Sequence, residues 1–317
     1  MSGLSGELGV IGVLMGGYSS EREISLKSGK AVCEALQSAQ YKVKPIDITA
    51  RDPEEISRTL NDAGIDVAFI ALHGELGEDG IIQTILEAAG IPYSGSGPDA
   101  SRLALDKVAA YKKFEEHGVP VPPHRSFCRT DSVSIKDLSG VFSFPFVVKP
   151  ACQGSSIGIS LVQNENELAG ALRAAFEHDN EILIEQFIRG RELTVGILEE
   201  KSLPVIEVKP KGTFFDFTAK YQSGTTEYLV PAPIPEAMAA TVQALALSAH
   251  RALGCENLSR VDVMLDGNNS PYVLEVNTIP GFTATSLLPK AAKVTGLDFT
   301  QLVLKIVRMA YEKTCQK

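Results

Sequence analysis

The sequence predicts an α/β protein of three units, an N-terminal doubly wound parallel sheet followed by two α+β units. Three observations carry that expectation. Apolar strand-like runs alternate with segments of helical periodicity for most of the length. The 317 residues, 44% of them apolar, exceed one compact domain of ordinary size. The turn-rich stretch Ser94-Gly95-Ser96-Gly97-Pro98 and a second break near Gly190 divide the alternation. The expected units are residues 1–97, 98–190 and 191–317.

In the first unit, residues 8–15 form a continuous apolar run ending in Gly16-Gly17, the pattern of a buried parallel strand and a tight turn. Ser20 and Glu23 match a capping box, so a helix is expected over 21–39. Residues 43–48 read as a second strand. Asp52-Pro53 opens a second helix, with Asp52 as cap and Pro53 at the first helical position. Residues 67–72 read as a third buried strand that delivers His73-Gly74 to a loop, and 81–89 as a helix stopped by Gly90. In such a sheet the loops at the strand C-termini form the ligand side.

In the second unit, residues 99–117 read as one helix, closed by Gly118 and the Pro-rich stretch 119–123. A strand at 146–149, a Gly/Ser loop at 153–158, a strand at 159–162, a helix at 165–178 and a strand at 182–187 follow. The third unit opens with two strands around Glu199-Glu200. A polar, Gly-containing loop at 215–227, a helix at 236–253, a hairpin around Gly267 and two C-terminal helices complete it.

A net charge of −9 argues against nucleic acid or an anionic membrane as the main partner. An anionic substrate therefore has to be held by local Lys, Arg and backbone N–H groups. The first basic residue is Arg22, and no apolar run reaches the ~18 residues of a membrane span. Five scattered cysteines without a CxxC pair read as reduced thiols. A cytoplasmic protein is expected.

Three constellations carry chemistry. The first is the hairpin running from Ser259-Arg260-Val261-Asp262-Val263-Met264-Leu265 to Tyr272-Val273-Leu274-Glu275-Val276-Asn277. With the turn centred between Asn268 and Asn269, Val261 faces Val276, Val263 faces Leu274 and Leu265 faces Tyr272, one coherent apolar face. The other face sets Asp262 against Glu275 and Arg260 against Asn277. Two facing carboxylates repel, so either they lie on a solvated strand face or a hard cation such as Mg²⁺ compensates them. The second is Gln153-Gly154-Ser155-Ser156-Ile157-Gly158 after Val147-Val148-Lys149-Pro150. It is either a plain hairpin turn or a loop whose N–H groups reach phosphate oxygens, with Lys149 adding a point charge. The third is Gly16-Gly17-Tyr18-Ser19-Ser20-Glu21. Glu21 is either an acid at a surface helix N-terminus or the partner of an amino-acid ammonium. His73, just after a buried strand, stands at a site-like position, although a lone histidine is more often structural.

These segments together resemble the D-alanine–D-alanine ligases of the ATP-grasp superfamily. The resemblance spans nearly the whole chain. It includes Ser20-Glu21-Arg22-Glu23-Ile24-Ser25-Leu26, Ala71-Leu72-His73-Gly74 with Gly77-Glu78-Asp79-Gly80, and Tyr93-Ser94-Gly95-Ser96-Gly97. Asp106-Lys107, Val148-Lys149-Pro150, Ala219-Lys220-Tyr221, the Arg260 hairpin and Glu275-Val276-Asn277-Thr278-Ile279-Pro280-Gly281 complete it. The resemblance implies that ATP is sandwiched between the second and third units. Lys107, Lys149 and Lys220 then contact its phosphates, while Glu185 and Glu192 hold the adenine amino group and ribose. Asp262, Glu275 and Asn277 hold two Mg²⁺ ions, with Mn²⁺ as an alternative. Glu21 holds the ammonium of the first D-alanine, with His73 nearby. Tyr221, Ser155 and Glu21 form a hydrogen-bonded chain under a closing loop at 215–227. Arg260 and the Gly281 N–H hold the oxyanion, and Ser286 and Leu287 receive the second D-alanine's carboxylate. The implied product is D-alanyl-D-alanine, formed through a D-alanyl phosphate for peptidoglycan precursor synthesis; a homodimer is implied as well. The alternative is a D-alanyl-D-serine or D-alanyl-D-lactate ligase of the same fold, with Tyr221 arguing against lactate. The sequence departs from the family pattern at Ala151-Cys152-Gln153, at Ile279 and at Gln186.

Overall fold

A computed structural model of the chain describes residues 8–154, 156–210 and 226–314. Ser155, Lys220 and Tyr221, with most of the loop at 215–227, lie outside the described residues.

The first sheet is parallel. Its central strand β1 (Val10–Gly16) is followed by α1 (Arg22–Ser38), β2 (Lys42–Ile48), α2 (Pro53–Ala63), β3 (Val67–Ile70) and α3 (Ile81–Ala88), with strand order β2-β1-β3. The apolar run behaves as expected, since Ile11, Val13 and Leu14 are fully buried. Asp52 caps α2 by accepting the Glu54 N–H, with Pro53 opening the helix. The capping box at Ser20 and Glu23 does not form. Glu21 occupies the cap position of α1 without a side-chain cap, and Ser19 Oγ accepts the Glu21 N–H at 3.2 Å instead. The reason is tertiary. Ser19 Oγ also donates to His73 O at 2.7 Å, so the turn after Gly16-Gly17 is fastened to the end of β3 rather than closed on itself.

The expected helix over 99–117 is two helices, α4 (Pro98–Leu105) and α5 (Lys107–Glu116). Asp106 breaks it with an extended backbone, and its carboxylate accepts the N–H groups of Val108 and Ala109 at 3.0 Å. Then come β4 (His124–Cys128), α6 (Ile135–Leu138), β5 (Phe146–Pro150), β6 (Ser160–Val162), α7 (Glu165–Phe176) and β7 (Glu181–Gln186). They form an antiparallel sheet of order β4-β7-β5-β6. β4 and α6 have no counterpart in the sequence reading. His124-Arg125-Ser126-Phe127-Cys128 lacks an apolar alternation and follows prolines; pairing with β7 makes it a strand.

The third sheet contains β8 (Gly190–Leu198), β9 (Lys201–Ser202), β10 (Ile206–Pro210), β11 (Thr226–Leu229), β12 (Leu258–Asp266) and β13 (Pro271–Asn277). Its order is β11-β10-β8-β12-β13, with β9 paired to β8 through a turn in which Glu199 and Glu200 both have positive φ. α8 (Glu236–Ala252) covers the face opposite the cleft, and α9 (Leu287–Val294) and α10 (Phe299–Thr314) follow the hairpin.

The hairpin register corrects half of the expectation. Arg260 pairs with Asn277, Val261 with Val276 and Asp262 with Glu275 as expected. Beyond Asp262 the register shifts: Val263 pairs with Val273, Met264 with Tyr272 and Leu265 with Pro271. Leu274 is the extra residue of a β-bulge, so Val263 does not face Leu274 and Leu265 does not face Tyr272.

Two packing links hold the three sheets together. α10 returns to the first sheet, packing on α1 and β3. The Phe282 ring meets Phe69 edge-on, with centroids 5.2 Å apart. Ala104, Tyr111 and Phe114 from α4 and α5 join the core under the third sheet with Val195 and Val263. Among the described residues no helix is long and apolar enough to cross a membrane.

Candidate active site

Two adjoining cavities lie where the three sheets meet. The larger of this pair, about 240 Å³, is bounded by β5 and β7 on one side and by β8, β12 and β13 on the other, and a further cavity of about 350 Å³ opens beside the pair between Glu21, Gly74 and Gly154. The smaller, about 190 Å³, opens toward the C-terminal ends of β1 and β3. Lys107, Gly154, Arg260 and Glu275 line both.

The wall of the larger cavity follows from strand parity. Val147 sits opposite Glu185 on β7, so Lys149, two residues on, shares its face. Lys149 Nζ lies 2.8 Å from Glu185 Oε2, and the Tyr111 hydroxyl donates to the same oxygen at 2.7 Å. Lys149 Nζ also approaches the Tyr111 hydroxyl at 3.4 Å and lies over its ring. All three groups are buried. Burial, and then the Glu185 charge, push the Tyr111 phenol well above its ordinary pKa, so it stays a donor. Glu192, on β8 opposite Met264, lines the far side.

Lys107 is the first residue of α5 because Asp106 breaks the helix there. Its Nζ donates to Gln153 O at 2.5 Å and stands 4.0 Å from Glu275 Oε2. Burial lowers its pKa from the usual lysine value, with Glu275 pulling the other way and Lys149 adding to the depression. An incoming polyanion would relieve that cost.

Asp262 belongs to a rung across three strands, Thr194 on β8, Asp262 on β12 and Glu275 on β13. Thr194 donates to Asp262 Oδ1 at 2.6 Å, and the Arg260 guanidinium grips both carboxylate oxygens at 2.9 Å. The next rung carries Arg260 and Asn277, whose Oδ1 accepts the Ile279 N–H at 2.9 Å. An all-oxygen set of two carboxylates and an amide suits a hard divalent cation. The nearest cation to Glu275 among the described residues is Lys107 at 4.0 Å, which leaves its carboxylate weakly balanced. Those residues contain no convergent group of three or more acidic, histidine or cysteine side chains. Asp262, Glu275 and Asn277, the set that the resemblance implies, lie on neighbouring rungs of one face of the hairpin.

The smaller cavity is lined by Glu21, His73, Glu78, Asn277, Thr278 and Gly281, among others. Glu21 reaches it over Gly74 and Gly154. A Cβ on Gly74, which has φ +66°, would lie 2.8 Å from Glu21 Oε2. His73 is buried with Nδ1 3.6 Å from Glu78 Oε1. Ser286 does not line this cavity. Its Oγ accepts the Thr283 N–H at 3.0 Å and lies 3.4 Å from where a Cβ on Gly281 would be. Leu287 opens α9 and lines the larger cavity.

The site thus gathers Glu21, His73, Lys107, Lys149, Glu185, Glu192, Arg260, Asp262, Glu275, Asn277, Gly281 and Leu287, and sets Ser286 beside it. Tyr111, Thr194 and Glu78 are additions that sequence reasoning missed. Only Glu78 carried a signal, as part of Gly77-Glu78-Asp79-Gly80; Tyr111 and Thr194 read as ordinary helix and strand residues.

Comparison with known proteins follows the same lines. The family description "D-ala D-ala ligase C-terminus" matches residues 114–308, and "D-ala D-ala ligase N-terminus" matches 10–53 and 50–96. A D-alanine–D-alanine ligase of Geotalea uraniireducens is 48% identical over 306 residues, 96% of this chain and 97% of the relative. The crystal structure of D-alanine–D-alanine ligase from Bacillus anthracis superimposes with a TM-score of 0.87 at 36% identity, covering 97% of this chain and 99% of that one. The structure of that enzyme complexed with ATP gives 0.86 at 33% identity, with the same coverage. The architecture is that of the ATP-grasp ligases. Within that class, this chain belongs to the D-alanine–D-alanine ligase family.

Proposed function

We infer that this protein is an ATP-dependent ligase that joins two D-alanine molecules into D-alanyl-D-alanine, releasing ADP and phosphate, for peptidoglycan precursor synthesis. The observation that carries the reading is the meeting of the two cavities at Lys107, Gly154, Arg260 and Glu275. A nucleotide phosphate in one and an amino-acid carboxylate in the other would react across those residues.

In this reading ATP enters the larger cavity. Lys149 and Lys107, joined by Lys220, hold its phosphates, and Glu185 and Glu192 hold adenine and ribose. Asp262, Glu275 and Asn277 would hold two Mg²⁺ ions, whose charge would offset that of the phosphates. Glu21 takes the ammonium of the first D-alanine, with His73 beside it, so that its carboxylate points at the phosphates. That carboxylate attacks the γ-phosphorus, ADP leaves, and a D-alanyl phosphate remains. The amine of the second D-alanine, its carboxylate held at Ser286 and Leu287, attacks the acyl carbon. Arg260 and the Gly281 N–H steady the oxyanion, the amine loses its proton, and phosphate departs. Positioning and charge neutralisation do the catalytic work. Ser155 and Tyr221 join Glu21 in closing the site, and exclusion of water protects the acyl phosphate. Residues 1–97, 98–190 and 191–317 serve as the three units of a homodimeric enzyme in the cytoplasm.

The test is phosphate release with D-alanine alone, with D-alanine plus D-lactate or D-serine, and with L-alanine, each product identified by mass. D-Alanyl-D-alanine as the main product is expected. A mixed product dominating would move the assignment to a D-serine or D-lactate ligase, and no D-alanine-dependent phosphate release would reject it.

A further inference from the structure

The buried face of α1 is apolar at Val32, Cys33, Ala35 and Leu36, yet Ser25 and Ser28 are buried there too, 0% and 1% exposed. A hydroxyl in such a place costs stability unless its hydrogen bonds are made. Ser25 Oγ accepts the Gly16 N–H at 2.9 Å and donates to Ala71 O at 2.8 Å, which ties the ends of β1 and β3 together. Ser28, one turn on, does something different. Its Oγ accepts the Phe282 N–H at 3.2 Å and lies 3.2 Å from His73 Nε2. It joins a residue of the amino-acid cavity to the backbone immediately after Gly281.

The hydrogen-bond roles at this junction can be assigned. Phe282 N–H donates to Ser28 Oγ, so the hydroxyl hydrogen remains to be placed. No acceptor for it other than His73 Nε2 is found among the described residues. Nε2 must then be the bare nitrogen of a neutral imidazole, and the proton sits on Nδ1. Nδ1 faces Glu78 Oε1 at 3.6 Å, where an N–H belongs and a lone pair does not. Both sides of the ring call for the same tautomer.

We propose that Ser28 is a positioning residue of the ligation site: its hydroxyl fixes His73 in the Nδ1–H tautomer and anchors the Gly281–Phe282 backbone to α1. The proposal rests on the ligase reading for its kinetic consequence. The side of the site that holds the first D-alanine and the segment that supplies the oxyanion donor are thereby set by one atom. Phe282 is also clamped from below by Phe69 and Phe299, so the peptide between Gly281 and Phe282 has little freedom once its N–H is bound.

The experiment compares Ser28→Ala, Ser28→Thr and the control Ser25→Ala in the full chain. Ser28→Ala leaves a buried N–H and an imidazole nitrogen unmatched, and kcat/KM for D-alanine should fall about ten- to hundredfold. KM for ATP should stay within about twofold, because nothing in the nucleotide cavity touches Ser28. Ser28→Thr keeps the hydroxyl and should recover most of the loss. Ser25→Ala removes two equally buried hydrogen bonds on the same helix; it should lower thermal stability as much and leave kcat/KM for D-alanine within about threefold. Imidazole ¹⁵N shifts, with His73 assigned through a His73→Gln variant among the five histidines, should show Nε2 bare in the wild type and altered in Ser28→Ala. Wild-type D-alanine kinetics in Ser28→Ala, an equal loss in Ser25→Ala, or a wild-type His73 protonated on Nε2 would each overturn the proposal. Absence of D-alanine-dependent turnover in the wild type would instead reject the ligase reading, and the imidazole spectrum still decides the tautomer.

Discussion

Tyr111→Phe removes a single oxygen from behind the wall of the larger cavity, where the phenol is fully buried against Lys149 and Glu185. The ring keeps its place between Phe114 and the edge of His124, so no cavity opens and no apolar burial is lost. What is lost is the hydrogen bond from the phenol to Glu185 Oε2 at 2.7 Å. Bonds to charged groups contribute about 1.5–3 kcal/mol. Glu185 keeps Lys149 at 2.8 Å, so its charge stays paired and the lower end of that range applies. About 1.5 kcal/mol of stability should disappear in urea unfolding. The functional part comes through Lys149, whose Nζ has the hydroxyl at 3.4 Å as its second partner. With that contact gone, KM for ATP should rise roughly three- to thirtyfold, or about 0.7–2 kcal/mol at 1.4 kcal/mol per tenfold. Turnover should stay within about threefold, since the phenol's partners, Glu185 and Lys149, line the larger cavity and not the smaller one to which the proposed reading assigns the amino acids. Initial rates of phosphate release over a range of ATP, at saturating D-alanine, give the split. A stability loss with an unchanged KM for ATP would refute the reasoning, because the phenol would then brace the fold without setting Lys149.

Three other outcomes follow from the same geometry. Glu275→Gln removes one of two facing carboxylates and should fold normally while turnover falls at least about a hundredfold at saturating Mg²⁺, given the charge neutralisation that phosphoryl transfer needs; near-normal turnover would remove Glu275 from the metal set. Glu21→Gln should raise KM for D-alanine about tenfold or more and leave ATP binding unchanged, because it takes the carboxylate from the proposed ammonium site; titration calorimetry with each substrate separates the two. His250 is fully buried with Nδ1 2.7 Å from Ser259 Oγ, and Glu200 lies 3.3 Å from Nε2 outside hydrogen-bond geometry. Burial lowers its pKa below the ordinary 6.5, with Glu200 opposing. The folded state therefore favours neutral His250. Its contribution is complete above the unfolded value and is lost as pH falls from 6.5 toward the folded one. Urea midpoints should drop through that window in the wild type and drop less in His250→Gln.

The first sheet is legible because its strands β1 and β3 are buried on both faces. Residues in β1 and β3 read as unbroken apolar runs, and their ends deliver Glu21 and His73 to the ligand side. The failures have physical causes. Asp106 looked like an interior helix residue; only the fold reveals that its carboxylate caps a second helix and turns Lys107 into the site. Ser20 and Glu23 matched a local capping box, but the turn is fastened across the sheet through Ser19 and His73. β4 is a strand because β7 pairs with it, a non-local cause that its own residues do not encode. Tyr111, Thr194 and Ser28 were silent for a related reason. Their roles lie in hydrogen bonds to residues 74, 68 and 254 positions away in sequence.

The hairpin shows why the pairing of Asp262 with Glu275 and of Arg260 with Asn277 was nevertheless expected in the right register. Period-two reasoning from the turn gets the rungs nearest the chemistry right and those nearest the turn wrong, because a bulge lies between them. An unbulged β13 would put Leu274 and Glu275 on opposite faces. In the structure both line the larger cavity, while Val273 and Val276, three apart, are the buried positions. The sequence holds that spacing in plain view as Val-Leu-Glu-Val, where a strict alternation would bury Leu274 with Val276. The bulge thus lets one strand present an apolar wall and a carboxylate side by side. In the proposed reading that adjacency sets an apolar surface for a flat aromatic base beside a carboxylate that faces the phosphate side, an arrangement that a strictly alternating strand would split between its two faces.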